Sequence, residues 1–384
     1  MTRLSRRTAV LSGLTAGTAA LVAGPEALVR AAASRATPAA GAAAPVAALA
    51  AHLDVAQPSF LAFLREAGID TALIARTGGG GGFIAPEPPF APLPATAHGP
   101  TIPASGYLVQ EIRGGVYWVT DGSYQCMFLV TGQGVIAVDA PPSIGPNLLK
   151  AIAAVTSEPV THVVYSHLHA DHIGSAHLLP ANATYIAQAD TAAYLRRDQD
   201  PRRPIPTVTF TDHYTLRVGD QVLQLDYKGE NHVAGNIFIY APRQQALMLV
   251  DVIFPGWVPF DYLAVSTNIP GWMTAYDQAL TYPFTTFVGG HLNRLGTRQD
   301  ALQGREYVHD LRANAAHALQ SVDIKPIIQK VGYSNFWALY RTYLDTVVDT
   351  AAAATLAKWN GRLGAVDVFT HDNAYTMQTS LRID

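Results

Sequence analysis

The sequence is poor in several things that would otherwise suggest a function. It has one cysteine, Cys126, so no disulfide framework and no cysteine-based zinc cluster can form within one chain. Charge is sparse at 14% of residues, and 26 Lys plus Arg stand against 29 Asp plus Glu, a formal net charge of −3. With no basic run there is no electrostatic footprint for nucleic acid or an anionic surface, and no nucleic-acid partner is expected. Long apolar runs are also missing. The one candidate, Thr8–Gly24, is short and weakly hydrophobic for a bilayer span, so no stable membrane span is expected in the mature chain. Five glycines occupy residues 78–82, but no Gly-Lys-Ser/Thr follows and no strand pattern precedes them. They are therefore read as a flexible linker rather than a phosphate loop. Gly-x-Ser-x-Gly is absent too, which leaves Ser166 and Cys126 with packing or turn roles rather than nucleophilic ones.

What is present is a chain of 384 residues with 49% apolar content, enough for one large domain with appendages, or two domains. Met1–Arg7 is basic, Thr8–Gly24 is apolar, and Ala31-Ala32-Ala33-Ser34 offers a small-residue cleavage site. That order is a secretory signal. The pair Arg6-Arg7 resembles the twin-arginine export signal, so residues 1–35 are expected to engage that machinery and the mature protein to be periplasmic or extracellular. Residues 36–105 read as linker and N-terminal extension, Ala-rich at first and Pro-rich over Pro86–Pro103, with one short helical pattern at Ser59–Ala67.

From Gly106 the texture changes to short β-branched and aromatic runs between turns. Strands are expected at Tyr107–Ile112, Val116–Thr120, Cys126–Thr131, Val135–Val138, Thr161–Tyr165, Thr184–Ala187, Thr207–Phe210, Gln221–Tyr227, Asn236–Tyr240, Ala246–Val250 and Thr285–Val288. Helical patterns fall at Pro146–Thr156, Ile173–Leu179, Asp190–Arg197 and Trp272–Leu280, and again through Thr297–Trp359. Strand-rich halves with helices between them indicate an α/β fold of the α+β type. The expected form is an αββα sandwich of two mixed sheets with helices outside, over residues 106–296, followed by a mainly helical extension at 297–384.

The chemistry concentrates in one segment, Ser166-His167-Leu168-His169-Ala170-Asp171-His172, after an apolar strand. Residues two apart in extended backbone project to the same side, so His167 and His169 can share one metal ion. Asp171 and His172, at the turn that follows, can face a second. Three imidazoles and a carboxylate in six residues would be an odd composition for a surface loop.

Here the chain resembles the metallo-β-lactamase superfamily, whose binuclear members carry His-x-His-x-Asp-His at a strand end. Four further segments are similar to that family's in the expected order. Val135–Asp139 resembles its early strand, which makes Asp139 a supporting carboxylate behind the ligands. Asn231-His232-Val233-Ala234-Gly235 resembles its Gly-His-Thr-Pro-Gly segment, departing at Asn231 and Val233-Ala234, and implies His232 as the third ligand of the first metal. Leu249-Val250-Asp251 implies Asp251 as the carboxylate bridging both metals, and Gly289-Gly290-His291 implies His291 as the last ligand of the second. The resemblance implies two zinc ions, a choice that imidazole and carboxylate donors suit, with iron or manganese as possible occupants of the same set.

The implied chemistry is attack of a metal-bound hydroxide on a carbonyl, with Asp171 steering the proton. The second-metal set lacks Cys and so looks closer to the glyoxalase II and lactonase branches, with an ester, lactone, thioester or amide (β-lactam) as substrate. The aromatic loop after Asp251 bears Trp257, Phe260 and Tyr262, which either wall an apolar pocket for a small-molecule substrate or pack against the helical tail. Two rival readings keep the same scaffold: a mononuclear-iron oxidoreductase of the persulfide dioxygenase type, and a non-catalytic metal-binding protein. Oligomeric state is not readable from the sequence.

Overall fold

A computed structural model describes residues 90–384 of the chain. The expected export signal, the helical pattern at Ser59–Ala67 and the five glycines lie outside the described residues.

Two mixed sheets form the centre. The first runs in sequence order: β1 (Leu108–Arg113), β2 (Val116–Thr120), β3 (Gln125–Val130), β4 (Val135–Val138), β5 (Val160–Val164), β6 (Thr184–Gln188) and β7 (Val208–Phe210). β1 to β4 are antiparallel neighbours, and β4 to β7 are parallel. The parallel pairs need crossovers: α1 (Asn147–Val155) lies between β4 and β5, the single turn α2 (Ala170–Ile173) between β5 and β6, and α3 (Ala189–Asp198) between β6 and β7. The second sheet is ordered β12 (Thr286–Val288), β11 (Ala246–Met248), β10 (Phe238–Ala241), β9 (Gln221–Asp226), β8 (His213–Val218), antiparallel except for the β11–β12 pair.

The period-two alternation of the strands decides which core each residue joins. On β3, Met127 and Leu129 point between the sheets, while Cys126 and Phe128 point out toward α1. On β10, Ile239 and Ala241 point between the sheets, while Phe238 and Tyr240 point out into a third cluster. Outside the second sheet lie α4 (Ile269–Ala279) and four further helices: α5 (Arg298–Ser321), α6 (Ile324–Val331), α7 (Phe336–Trp359) and α8 (Val366–Ile383). Leu247, Leu249 and Phe287 of the sheet share one buried cluster with Trp272, Tyr307, Leu311, Val347, Trp359 and Met377 of the helices. The residues after 297 therefore cover the second sheet and complete its outer layer.

Two departures from expectation have local causes. The helix expected over Ile173–Leu179 is instead a single turn, α2 (Ala170–Ile173), followed by a 3₁₀ turn at Ala176–Leu178. The Ser175 amide donates to the Ala140 carbonyl at 3.0 Å, so it is lost to the helical ladder and the helix stops. Strand β8 was not anticipated, because His213, Thr215 and Arg217 alternate with its apolar residues on an edge. It reaches β9 by a two-residue turn at Gly219-Asp220, where Gly219 has φ +54 and a Cβ would lie 1.9 Å from the Thr131 carbonyl oxygen.

Candidate metal centre

The candidate ligands come from strand ends that open on the same edge of both sheets. The segment after β5 carries His167, His169, Asp171 and His172, the loop before β10 carries His232, the end of β11 leads to Asp251, and the end of β12 to His291. Asp139 and Asp251 end corresponding strands and both take left-handed backbone, at φ 62 and 61. This turns each chain sharply at the site and costs about 1–2 kcal/mol per residue.

The seven residues come together in two groups: His167, His169, His232 and Asp251, and Asp171, His172 and His291, with ligand atoms inside each group within 4.8 Å of one another. Asp251 faces both. Its Oδ2 is 3.6, 3.3 and 3.2 Å from Nε2 of His167, His232 and His172, and its Oδ1 is 3.1 Å from Nε2 of His291. Asp171 Oδ2 lies 3.3 Å from His172 Nε2 and 3.7 Å from His291 Nε2. His169 presents Nδ1, 3.0 Å from His232 Nε2.

The donor set fits cations. Buried His167 Nε2, both His172 nitrogens, Asp251 Oδ1 and His291 Nε2 have no hydrogen-bond partner, a costly state for buried polar atoms unless something else satisfies them. Burial and the neighbouring imidazoles push His167 well below the usual histidine range, and burial lowers His169 and brings His232 down to about 3. These imidazoles are therefore neutral at physiological pH, the state a metal requires. Burial would lower His172 as well, but the Asp251 and Asp171 carboxylates prevail and raise it to about 10. Burial would raise Asp251, yet the facing imidazoles hold it well below the carboxylate range. The pair calls for positive charge at the centre, a demand that a bound cation meets.

Neighbouring groups orient the ligands. Asp139, wholly buried, accepts from the Ser166 amide at 2.8 Å, and Ser166 Oγ lies 3.0 Å from His167 Nδ1, so Asp139 supports the ligand loop through Ser166. Desolvation raises Asp139 to about 6. Gly290 must stay small: a Cβ there would lie 2.4 Å from Val250 and 2.6 Å from His172. Cys126 is buried among apolar side chains, where desolvation drives its thiol well above the usual range, in keeping with a packing role.

The three aromatics of the Asp251 loop divide. Phe260 stands 4.8 Å from His291, ring to ring, beside Phe254. Trp257 is engaged elsewhere: its indole donates to the Ala97 carbonyl at 2.8 Å and its ring packs on Gly364. Tyr262, 47% exposed, meets Tyr375 of α8. Tyr124 was not foreseen. Asp121 accepts from its amide and from that of Ser123, fixing the turn before β3, and the ring then lies 4.6 Å from His291 and 5.6 Å from His172. Its hydroxyl is 3.4 Å from Asp171 Oδ2. No sequence signal marks it, because an isolated bridge between Tyr124 and His291 places it there.

Residues 119–291 match the family model described as the metallo-β-lactamase superfamily. Over those residues the chain carries a domain similar to that superfamily. Among curated relatives, it is 28% identical over 199 residues to the 2,4-dinitroanisole O-demethylase subunit alpha of Nocardioides sp. strain JS1661, covering 50% of this chain and 59% of that one. It is 28% identical over 137 residues to metallo-β-lactamase IND-1 of Chryseobacterium indologenes, covering 35% of this chain and 56% of that one. The chain thus spans little more than half the length of these relatives. The crystal structure of metallo-β-lactamase IND-7 aligns with a TM-score of 0.46 at 20% identity, over 53% of this chain and 100% of that one. The superfamily domain has a metal-dependent-hydrolase-like fold with candidate metal ligands. No helix among the described residues is long and apolar enough to cross a membrane.

Proposed function

We propose that the chain is an exported, binuclear metal-dependent hydrolase of a small, partly apolar substrate. One observation carries this reading: buried Asp251 stands between the two groups, its Oδ2 within 3.6 Å of His167, His232 and His172 and its Oδ1 3.1 Å from His291, with His167, His172 and His291 nitrogens left unpartnered. His167, His169 and His232 would hold one ion and Asp171, His172 and His291 the other, with Asp251 between them and zinc the proposed occupant. When bound, such ions supply Lewis acidity and make water acidic enough to act as a nucleophile near neutral pH.

The chain's own groups do the rest. Asp171 is 35% exposed at the mouth, where its Oδ2 can take up a proton and pass it to a leaving group. Tyr124, whose phenol burial drives far above its usual range, stays protonated and donates toward that oxygen. Phe254 and Phe260 beside His291 offer aromatic faces to an apolar substrate portion and exclude water. The substrates proposed are esters, lactones, thioesters and amides such as β-lactams. Two relatives' names point to different bonds, a β-lactam and an aryl methyl ether. The aromatic walls favour including aryl ethers, whose hydrolysis, like that of an ester, consumes only water.

The test is metal analysis of the purified full-length chain, with turnover of a nitrophenyl ester, a lactone, a β-lactam and 2,4-dinitroanisole. About two zinc per chain with hydrolysis of one class supports the reading. One iron per chain with oxygen uptake establishes the oxidoreductase instead, and bound metal with no turnover leaves a metal-binding protein. Export is tested by replacing Arg6 and Arg7 with Lys, which should hold precursor in the cytoplasm.

A further inference from the structure

The segment Phe260–Thr267 connects the C-terminal helices to one candidate ligand, His232. Tyr262, Leu263, Ala264 and Val265 are all left-handed, at φ 54, 57, 58 and 53, and none is glycine. A β-branched residue such as Val265 adopts that conformation only when its surroundings compel it. The compelling contact comes from α8, more than a hundred residues later. Buried Asn373 accepts from the Leu263 amide at 2.7 Å and donates to the Pro259 carbonyl at 2.9 Å, and its amide nitrogen lies 3.4 Å from Tyr307 of α5.

At the far end of the strained turn, Ser266 Oγ donates to the Leu263 carbonyl at 2.6 Å. A carbonyl only accepts, so the serine proton is committed there and an oxygen lone pair faces His232 Nδ1, 3.2 Å away. That contact requires hydrogen on Nδ1 and leaves Nε2 bare toward His169 and Asp251. Thr267 holds the same residue by its backbone, donating from its amide to the His232 carbonyl at 2.8 Å.

We infer that Asn373 is a positioning residue for the metal centre: by holding the left-handed turn it places Ser266, which sets the tautomer of His232 for metal capture. The C-terminal helices thereby act on the ligand set and not only on the outer face of the second sheet. The inference rests on the metal-centre reading for its purpose, but its primary test needs no metal.

Ring ¹⁵N shifts of His232 in the metal-free, full-length protein report the tautomer directly. The parent should show a protonated Nδ1 and a bare Nε2. Ser266→Ala and Asn373→Ala should both move His232 toward a mixture of tautomers, and Ser266→Thr, which keeps the hydroxyl, should restore it. In chelator competition, zinc affinity of the tighter site should fall about 10–100-fold in both alanine variants. Folded Ser266→Ala or Asn373→Ala protein with the parent's tautomer and zinc affinity overturns the inference. Should Asn373→Ala not fold, Tyr307→Phe loosens Asn373 without emptying its position. A smaller shift in the same direction then supports the inference, and unchanged ring signals overturn it. A parent that binds no zinc but shows the fixed tautomer refutes the hydrolase reading and leaves the clamp standing.

Discussion

The two ligand groups are built to different standards. His167 and His232 lie fully within the protein, and each has a serine hydroxyl at its second nitrogen. In the other group His172 is equally buried, but His291 and Asp171 are 15% and 35% exposed, and an aromatic rim of Tyr124, Phe254 and Phe260 stands beside them; of the first group only His169 is half-buried. Burial with fixed orientation favours tight holding of an ion, because no ordering remains to be done on binding. Exposure beside aromatic faces favours exchange with substrate. The difference separates a deep, structurally supported position from an outward one that meets the solvent.

The comparison breaks most completely at the residue common to both groups. Asp251→Ala should bring metal content from about two ions toward one and lower hydrolysis by orders of magnitude. A variant with full metal and full activity would refute the binuclear assignment. Next is the spacing between the groups: Gly290→Ala drives a methyl into Val250 and His172 and should destabilise by about 1–3 kcal/mol. In chelator titrations it should weaken the outward position first and leave the deep one nearly intact.

Asp139 sharpens the comparison on the deep side through pH. Its folded value, raised by desolvation to about 6, exceeds the ordinary 3.8, so the folded state holds this proton more tightly than the unfolded state. Its contribution is fully present below about pH 4 and is lost as pH rises through 6, a change of about 3 kcal/mol at 1.36 kcal/mol per unit. Asp139→Asn keeps an acceptor for Ser166 but cannot ionise. In metal-free protein its melting midpoint should therefore gain on the parent's between pH 4 and 7, while hydrolysis falls about 10–100-fold. Parallel midpoint curves would show that Asp139 does not ionise differently on folding.

The smallest effects separate the aromatics. Phe260→Ala should raise KM severalfold for bulky apolar substrates and leave small ones unchanged, as loss of about 25 cal/mol per Å² of apolar contact implies. Trp257→Ala should instead lower the melting midpoint by several degrees with KM unchanged. The opposite pattern would return the pocket wall to Trp257.

Much of this centre is legible in the sequence. Three histidines and an aspartate within six residues, after an apolar run, are local information, and strand ends with Asp139, Asp251 and His291 followed from resemblance in chain order. Strand alternation also marked the two-sheet core, since a period of two is written residue by residue. Edge strand β8 escaped because half of its side chains are polar, and His213 and Arg217 among them are exposed.

The sequence by itself determined the ligand chemistry, the β-rich core and the helical character of the last third of the chain, because each depends on residues close together. Only the tertiary structure decided that Trp257 fastens a distant turn while Phe260 and Tyr124 face His291. It alone also decided that Asn373 holds a left-handed turn made of Tyr, Leu, Ala and Val. No local preference favours that turn. It persists because a buried amide more than a hundred residues away accepts one of its N–H groups, and a pairing of that kind exists only once the helices have packed on the second sheet.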